Sequence, residues 1–366
     1  MSTGHRSPLA ASVIMTVRHE PPDRLAAAVA ALAAQTGLDG PIEVVIAVPP
    51  AGRDAVAALR PVGAVAAVRT VANPGGARSA GLNRATRAAR AGVVVRVDAR
   101  SRVAPDHVAR CVARLAVDPS VGVVGGGQRP VAAVSAGARG AGIARALTNP
   151  WVLGGAAYRR RDAAGPVDTV YLGAFRRRQL LDLGGFDERL DANEDFELCA
   201  RYRAHGLTVW LEEGLSVAYE PRGRMGEVWD QYVAFGRSKV HFWRLTEGRP
   251  NRRQQVALAA PVVAAVGAAV VVAVAPRPAL VAALLLGAGG LAALAVDSRA
   301  EAPRATPAVR AWSVLASAAV VVGWLSGIAV ELVRSPAPTF GVATSADHPA
   351  PPPLAPTTAR SSRPAA

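Results

Sequence analysis

Apolar and polar positions follow two regimes along the chain, and the change falls near residue 253. Before it, short apolar runs alternate with helix-spaced segments. Ser12–Val17 is apolar and β-branched, which predicts a buried strand. Asp23–Ala34 is rich in Ala and Leu at helical spacing and follows Pro21-Pro22. Glu43–Val48 predicts a second strand, ended by Pro49-Pro50, and Val65–Val71 a third. Ala77–Ala89 predicts a helix after the loop Asn73-Pro74-Gly75-Gly76. Val93–Val97 predicts another buried strand, ending at Asp98. Pro105–Ala116 reads as a helix, and Val121–Val124 as a strand running into Gly125-Gly126-Gly127. This β-α-β-α order predicts an α/β domain, a mostly parallel sheet with helices on both faces. Ligands of such sheets bind beyond the carboxyl ends of the strands. Arg18, His19 and Glu20 fall at one such end and Asp98 at another. No repeat of fixed period is present.

After residue 253 the pattern becomes continuous. Residues 256–275, 279–296 and 311–330 are three runs without a charge, the third broken only by Ser313, Ser317 and Ser326. A helix of about 20 residues spans roughly 30 Å, the thickness of a hydrocarbon core. The runs therefore predict three membrane helices within 254–333. Arg244, Arg249, Arg252 and Arg253 precede the first, and Arg299, Arg304 and Arg310 separate the second from the third. By the positive-inside rule these arginines put residues 1–253 and 297–310 in the cytoplasm. That makes a multi-pass protein of the cell membrane, with residues 1–10 and the Pro-rich tail 334–366 disordered and the tail outside. A re-entrant hairpin at Pro276-Arg277-Pro278 is the alternative, and it leaves the side of the tail open. Val13–Val17 is too short for a signal core and is followed by charged residues, so no cleavable signal is expected. Cys111 and Cys199 would sit in a reducing compartment without a disulfide.

Composition then changes one reading. Forty-two basic against 27 acidic residues leave a net charge of +15, which first points to nucleic acid. The arginines flank the membrane runs instead, so no nucleic-acid partner is expected. Lys239 is the only lysine in the chain.

Six motifs then occur in order: SVIMTVRHE, NPGGARSAGLN (Asn73–Asn83), VVVRVDAR (Val93–Arg100), VDTVYLGAFRR (Val167–Arg177), LGGFDERLDANEDFELCARYRAHG (Leu183–Gly206) and YEPRGRMGEVWDQYVAFGRSK (Tyr219–Lys239). Over about residues 11–245 they resemble a family 2 inverting glycosyltransferase with a GT-A (Rossmann-like) fold. The nearest resemblance is to the membrane-tethered, succinoglycan-type exopolysaccharide transferases. The resemblance implies a GT-A catalytic domain over 11–245, followed by C-terminal transmembrane helices. It also implies transfer of a sugar from a nucleotide donor to a lipid-linked or polysaccharide acceptor, in cell-envelope or exopolysaccharide synthesis.

The chemistry of the residues agrees. Asp98 holds the first position of the family's D-x-D and is placed to bind Mg²⁺ or Mn²⁺ across a diphosphate. Arg100 stands at the third position, where it can share the charge neutralisation. Asp195 corresponds to the general base of a single displacement, with Glu194 as its orienting neighbour. Both open the segment Phe196–Ala204, where acidic residues also suit a helix N-terminus. Thr16, Arg18, Glu20, Arg78 and Asn83 fall in the family's nucleotide pocket. Gly184-Gly185-Phe186-Asp187 shapes the acceptor side, and Gln231 and Arg237 lie on an interfacial, membrane-proximal segment rich in aromatics. Val48 stands where the family carries an Asp that meets uracil. A UDP-sugar is the first expectation, with GDP or another nucleotide open. Two rivals remain: a processive polysaccharide synthase, which the lack of Q-x-x-R-W disfavours, and a non-catalytic membrane protein that binds nucleotide sugars.

Overall fold

Strand β1 (Ala11–Thr16) shows how the sheet is built. Ala11, Val13 and Met15 point to one apolar cluster and Ile14 to the other, the period of two expected for a strand buried on both faces. The computed structural model describes residues 8–18, 20–153, 156–160, 163–190, 192–246, 250, 252, 254–259 and 305–334. His19, residues 260–304, which hold most of the first apolar run and all of the second, and the tail 335–366 lie outside the described residues.

The elements follow in the order β1, α1 (Pro22–Ala33), β2 (Ile42–Val48), α2 (Arg53–Ala57), β3 (Val65–Ala72), α3 (Arg78–Ala88), β4 (Val93–Arg96), β5 (Ser101–Arg102) and α4 (His107–Val117). Then come β6 (Val121–Pro130), α5 (Gly137–Ala146), α6 (Pro150–Leu153), β7 (Gly165–Pro166), β8 (Tyr171–Arg176), α7 (Arg177–Asp182) and α8 (Glu194–Ala204). The last are β9 (Thr208–Tyr219), α9 (Met225–Leu245) and α10 (Pro307–Arg334). The strands expected from the apolar runs form within a residue or two, and β6 continues through the three glycines.

The sheet order is β3-β2-β1-β4-β8-β6-β9-β5, with β7 on β9. β3, β2, β1 and β4 are parallel, as expected. Beyond β4 the sheet is mixed, which corrects the mostly parallel expectation: β8 runs antiparallel between β4 and β6, and β5 and β7 pair antiparallel with β9. The insertion of β8 ends the parallel run at β4, the strand that leads to Asp98. Leu25 and Leu32 of α1 and Val108 and Leu115 of α4 cover one face. Leu82 of α3, Leu180 of α7 and Leu198 and Tyr202 of α8 cover the other. A third cluster joins α5, α9 and α10 through Ile143, Tyr232 and Val320.

One buried group sets an acid limit. His107 is fully buried, and neither ring nitrogen has a hydrogen-bond partner. Burial pulls its pKa down to about 4. Its depressed value means that the unfolded chain binds the extra proton first, between pH 6.5 and 4. Stability is therefore lost as pH falls through that window, by about 3 kcal/mol. His107→Leu should remove this component from the pH dependence of chemical denaturation, leaving any remaining acid loss to the carboxylates.

Candidate active site

The site forms where β1, β4, the α3 N-terminus and the α8 N-terminus meet, beyond the carboxyl ends of the parallel strands. Arg96 closes β4 with its side chain almost wholly buried. Its Nε donates to Asp98 Oδ1 at 3.0 Å and its second terminal nitrogen to Oδ2 at 3.2 Å, a fork that fixes the carboxylate. The remaining nitrogen pairs with Glu194 Oε1 at 3.0 Å. Arg78, at the start of α3, approaches the same oxygen at 3.8 Å. Two guanidiniums and two carboxylates thus form one network, with Arg96 and Glu194 buried and Arg78 and Asp98 half-buried.

The charges follow from this packing. Burial works against the Arg96 cation, but Asp98, Glu194 and Asp195 together hold its pKa well above the usual arginine value. Burial also works against the Asp98 anion, and there Arg96 and Arg78 win, leaving its carboxyl below its usual range. Glu194 is only 2% exposed and shares its cations, so burial with neighbouring Asp195 pushes it up.

The acidic pair is therefore divided in role. Glu194 is locked inward. Asp195 is half-buried and, among the described residues, has no cation within 4 Å; its Oδ1 accepts from the Phe196 N–H at 2.8 Å. The loop before it is tightly held. Asn83 accepts from Phe186 N–H at 2.8 Å through Oδ1, and donates through Nδ2 to Phe186 O at 2.8 Å and to Glu188 at 2.9 Å. A Cβ on Gly185 would overlap the Asn83 side chain, so the turn needs glycine there, at φ +73°. Ser79 Oγ donates to Leu190 O at 2.6 Å. Asn193 then enters α8 at φ +62°. Asn83, expected in the nucleotide pocket, is thus committed to shaping the loop that presents Asp195.

The other expected residues divide similarly. Thr16 closes β1. Arg18 Nε donates to Gly76 O at 2.9 Å and its N–H to Glu20 at 2.7 Å, so the end of β1 is joined to the glycine loop next to Arg78. Arg100 turns away from Arg96: its electrostatic neighbours are Arg24, Tyr219, Arg222 and Glu20, and burial with the two arginines lowers its pKa. Beside it Arg24 pairs with Glu220. These two residues also line a cavity of about 260 Å³, with Arg139, Arg222 and Arg224 around it. Gln231 donates weakly to the Tyr219 hydroxyl at 3.5 Å. Arg237 faces α10, where its Nε meets Glu331 at 3.0 Å.

Asp98 is, among the described residues, the carboxylate placed at the end of β4 for a divalent cation. Among the described residues no cluster of three His, Cys, Asp or Glu could hold a metal. Arg96 occupies one lone-pair direction on each Asp98 oxygen, and a carboxylate offers about four. The residues present fit a cation held by Asp98 alone, completed by phosphate oxygens and water, an arrangement Mg²⁺ and Mn²⁺ accept.

The family model described as Glycosyl transferase family 21 matches residues 69–336. The chain belongs to that family. The motifs pointed to family 2, so the family number differs while the GT-A type glycosyltransferase stands. The Succinoglycan biosynthesis protein ExoA of Rhizobium meliloti (strain 1021) is 32% identical over 77 residues, 21% of this chain. The match spans 23% of that relative's length. Among solved structures, the mannosyltransferase PcManGT of Pyrobaculum calidifontis, in complex with GDP-Man and Mn²⁺, superposes with a TM-score of 0.56. It is 19% identical, over 89% of this chain and 87% of that one, and shows the shared fold.

Two residues of this family 21 chain were not singled out for the site by sequence. Arg96 lies two positions before Asp98, hence on the same face of an otherwise apolar strand, and that spacing was the available signal. Lys239 is 6% exposed, with Nζ 3.8 Å from the centre of the Phe196 ring and 4.5 Å from that of Phe242. Burial pulls its pKa down to about 8 against the attraction of Asp195. Its signal was its being the only lysine.

Proposed function

We propose that the chain is a membrane-anchored, inverting transferase that moves a sugar from a nucleotide donor to a lipid-linked or glycan acceptor, with its catalytic domain on the cytoplasmic side. The observation that carries this reading is the division of the acidic pair. Glu194 is spent on holding Arg96 and Arg78, while Asp195 has no ion pair among the described residues. The acceptor hydroxyl gives its proton to Asp195 and its oxygen attacks the anomeric carbon. The bond to the diphosphate oxygen breaks on the opposite face, the nucleoside diphosphate leaves, and the configuration inverts. Arg78 opens the helix after the glycine loop and Arg18 bonds that loop at Gly76, so both are placed to face the donor phosphates. Asp98 is the residue that would hold Mg²⁺ or Mn²⁺, and the ion when bound would supply positive charge for the departing diphosphate.

A biosynthetic role in exopolysaccharide or cell-envelope assembly is supported by the ExoA match. The arginine-lined cavity next to Arg100 supports an acceptor with an anionic group, such as a lipid diphosphate. The neighbour's GDP-mannose and Val48 in this chain put GDP beside UDP as the donor nucleotide. Thermal stabilisation by a panel of nucleoside diphosphates with Mn²⁺ tests the donor class. One nucleotide should raise the melting temperature well above the others, and chelation should erase the difference. Equal, metal-independent shifts would count against a donor site at Asp98.

A further inference from the structure

Helix α10 covers 28 residues with a peak mean hydropathy of 2.0, long and apolar enough to cross a membrane. Its packing argues for a different placement. Ala316, Ser317, Val320, Gly323, Gly327 and Glu331 face the protein. Contacts with α9 advance in step: Gly323 against Trp229, Gly327 against Val233, Glu331 against Arg237 and His241. The two helices are therefore parallel. A Cβ on Gly236 would overlap the Trp324 carbonyl, and one on Gly327 the Val233 carbonyl, so the backbones touch. Further toward the α10 N-terminus, Gly142 of α5 packs against Trp312. Protein thus flanks α10 from Trp312 to Glu331, close to a full hydrocarbon thickness at 1.5 Å per residue.

A crossing helix would drag its flanks into the hydrocarbon. Helix α9 carries Glu227 and Asp230, and among the described residues neither has a cation within 4 Å. Each buried charge costs about 2.5–3.5 kcal/mol at the bilayer centre on the most lenient scale. Arg237, His241 and Arg244 gather round Glu331 on the same helix pair. The opposite face of α10 tells the other half. Leu315, Val322 and Val333 are 54%, 49% and 81% exposed and recur at helical spacing with Ala308, Ala311 and Ala329. That stripe has no charge, and the uncharged runs 256–275 and 279–296 precede α10 in sequence, separated from it by the charged segment 297–306.

We infer that α10 lies in the plane of the membrane surface, its apolar stripe immersed in the bilayer and its other face carrying α9 and α5. An amphipathic helix so placed sinks about 5–10 Å into the headgroup–acyl boundary, and its charged neighbours stay in water. Residue 334 then leaves the membrane surface on the side of the catalytic domain, not outside as the arginine pattern led us to expect. The arrangement also sets the reach of the active site. One face of α9 holds the loop of Asp195, through Ser238 to the Ala192 carbonyl and Lys239 on Phe196, while another rests on α10. Two helices, α9 and the half-immersed α10, each about 10–12 Å across, therefore separate the base from the hydrocarbon. The placement rests on the membrane reading of the apolar runs and not on the transferase chemistry.

Fluorophore depth in vesicles tests this. Full-length protein carrying Leu315→Cys, Val322→Cys or Val333→Cys is labelled with an environment-sensitive fluorophore and reconstituted with nitroxide lipids. The native thiols are buried, with pKa values pushed up to about 12, and should stay unlabelled. All three positions should be quenched to the same shallow depth. A deep Val322 between shallow ends would show a crossing helix and overturn the inference. So would no quenching at any position, which would give the stripe to a protein partner. Ala311→Cys and Ala329→Cys, on the same stripe, repeat the test if a larger replacement perturbs folding. The readout needs no turnover, so its failure is separable from failure of the transferase reading.

Discussion

Asp195→Asn is expected to lower turnover by about 10²–10⁴-fold, the usual worth of a general base. The amide is isosteric and its oxygen can still accept the Phe196 N–H, so α8 should keep its first turn. Asp195 holds no ion pair within 4 Å among the described residues, so its loss breaks no direct charge contact, and the buried Lys239 loses only a longer-range attraction that already leaves it easily neutralised. Donor affinity and melting temperature should change little while the turnover number falls. This split separates a base from a residue that positions the donor. Retained turnover would move the base elsewhere, and a parallel loss of donor binding would make Asp195 part of the nucleotide pocket.

Arg96→Met should act on stability first. It removes the fork from Asp98 and the 3.0 Å partner of Glu194, leaving that carboxylate with only Arg78 at 3.8 Å. Breaking a buried pair by deleting one member costs about 3–5 kcal/mol, because the other charge stays buried. At roughly 2–4 °C per kcal/mol for a domain of this size, the melting temperature should fall by about 10 °C. Adding Glu194→Gln removes the stranded charge and should recover part of the loss. Donor binding should stay impaired in the double variant, since Asp98 remains unanchored. A fall of under 1 kcal/mol for Arg96→Met would mean that Glu194 is not held by this arginine.

The parallel half of the sheet was legible because each of its strands is a short apolar run bounded by Pro, Gly or a charge. The antiparallel half was not. β9 carries Glu212, Glu213 and Gly214 in its interior, which breaks the strand period. β8 was visible only as a motif, and nothing local says that it inserts between β4 and β6. In the site, the spacing of Asp98 from a buried strand and the helix-start position of Glu194-Asp195 were readable. Which member of that pair would be buried depends on Arg96 and Arg78, which arrive from different elements. Asn83 and Arg237 were chosen by motif, yet their partners lie 103 and 94 residues away. The third apolar run was readable as a helix. Its flanking by α9 and α5 was not, because hydropathy reports what a segment tolerates and not what lies beside it.

The central claim is transfer from a nucleotide sugar. Its most direct test is release of nucleoside diphosphate by purified full-length protein, given Mn²⁺, a donor panel and a bacterial lipid extract. One donor should give diphosphate release that depends on the extract, stops with chelator and drops at least a hundredfold in Asp195→Asn. No release from any donor, with the protein folded and the lipid present, would contradict the account.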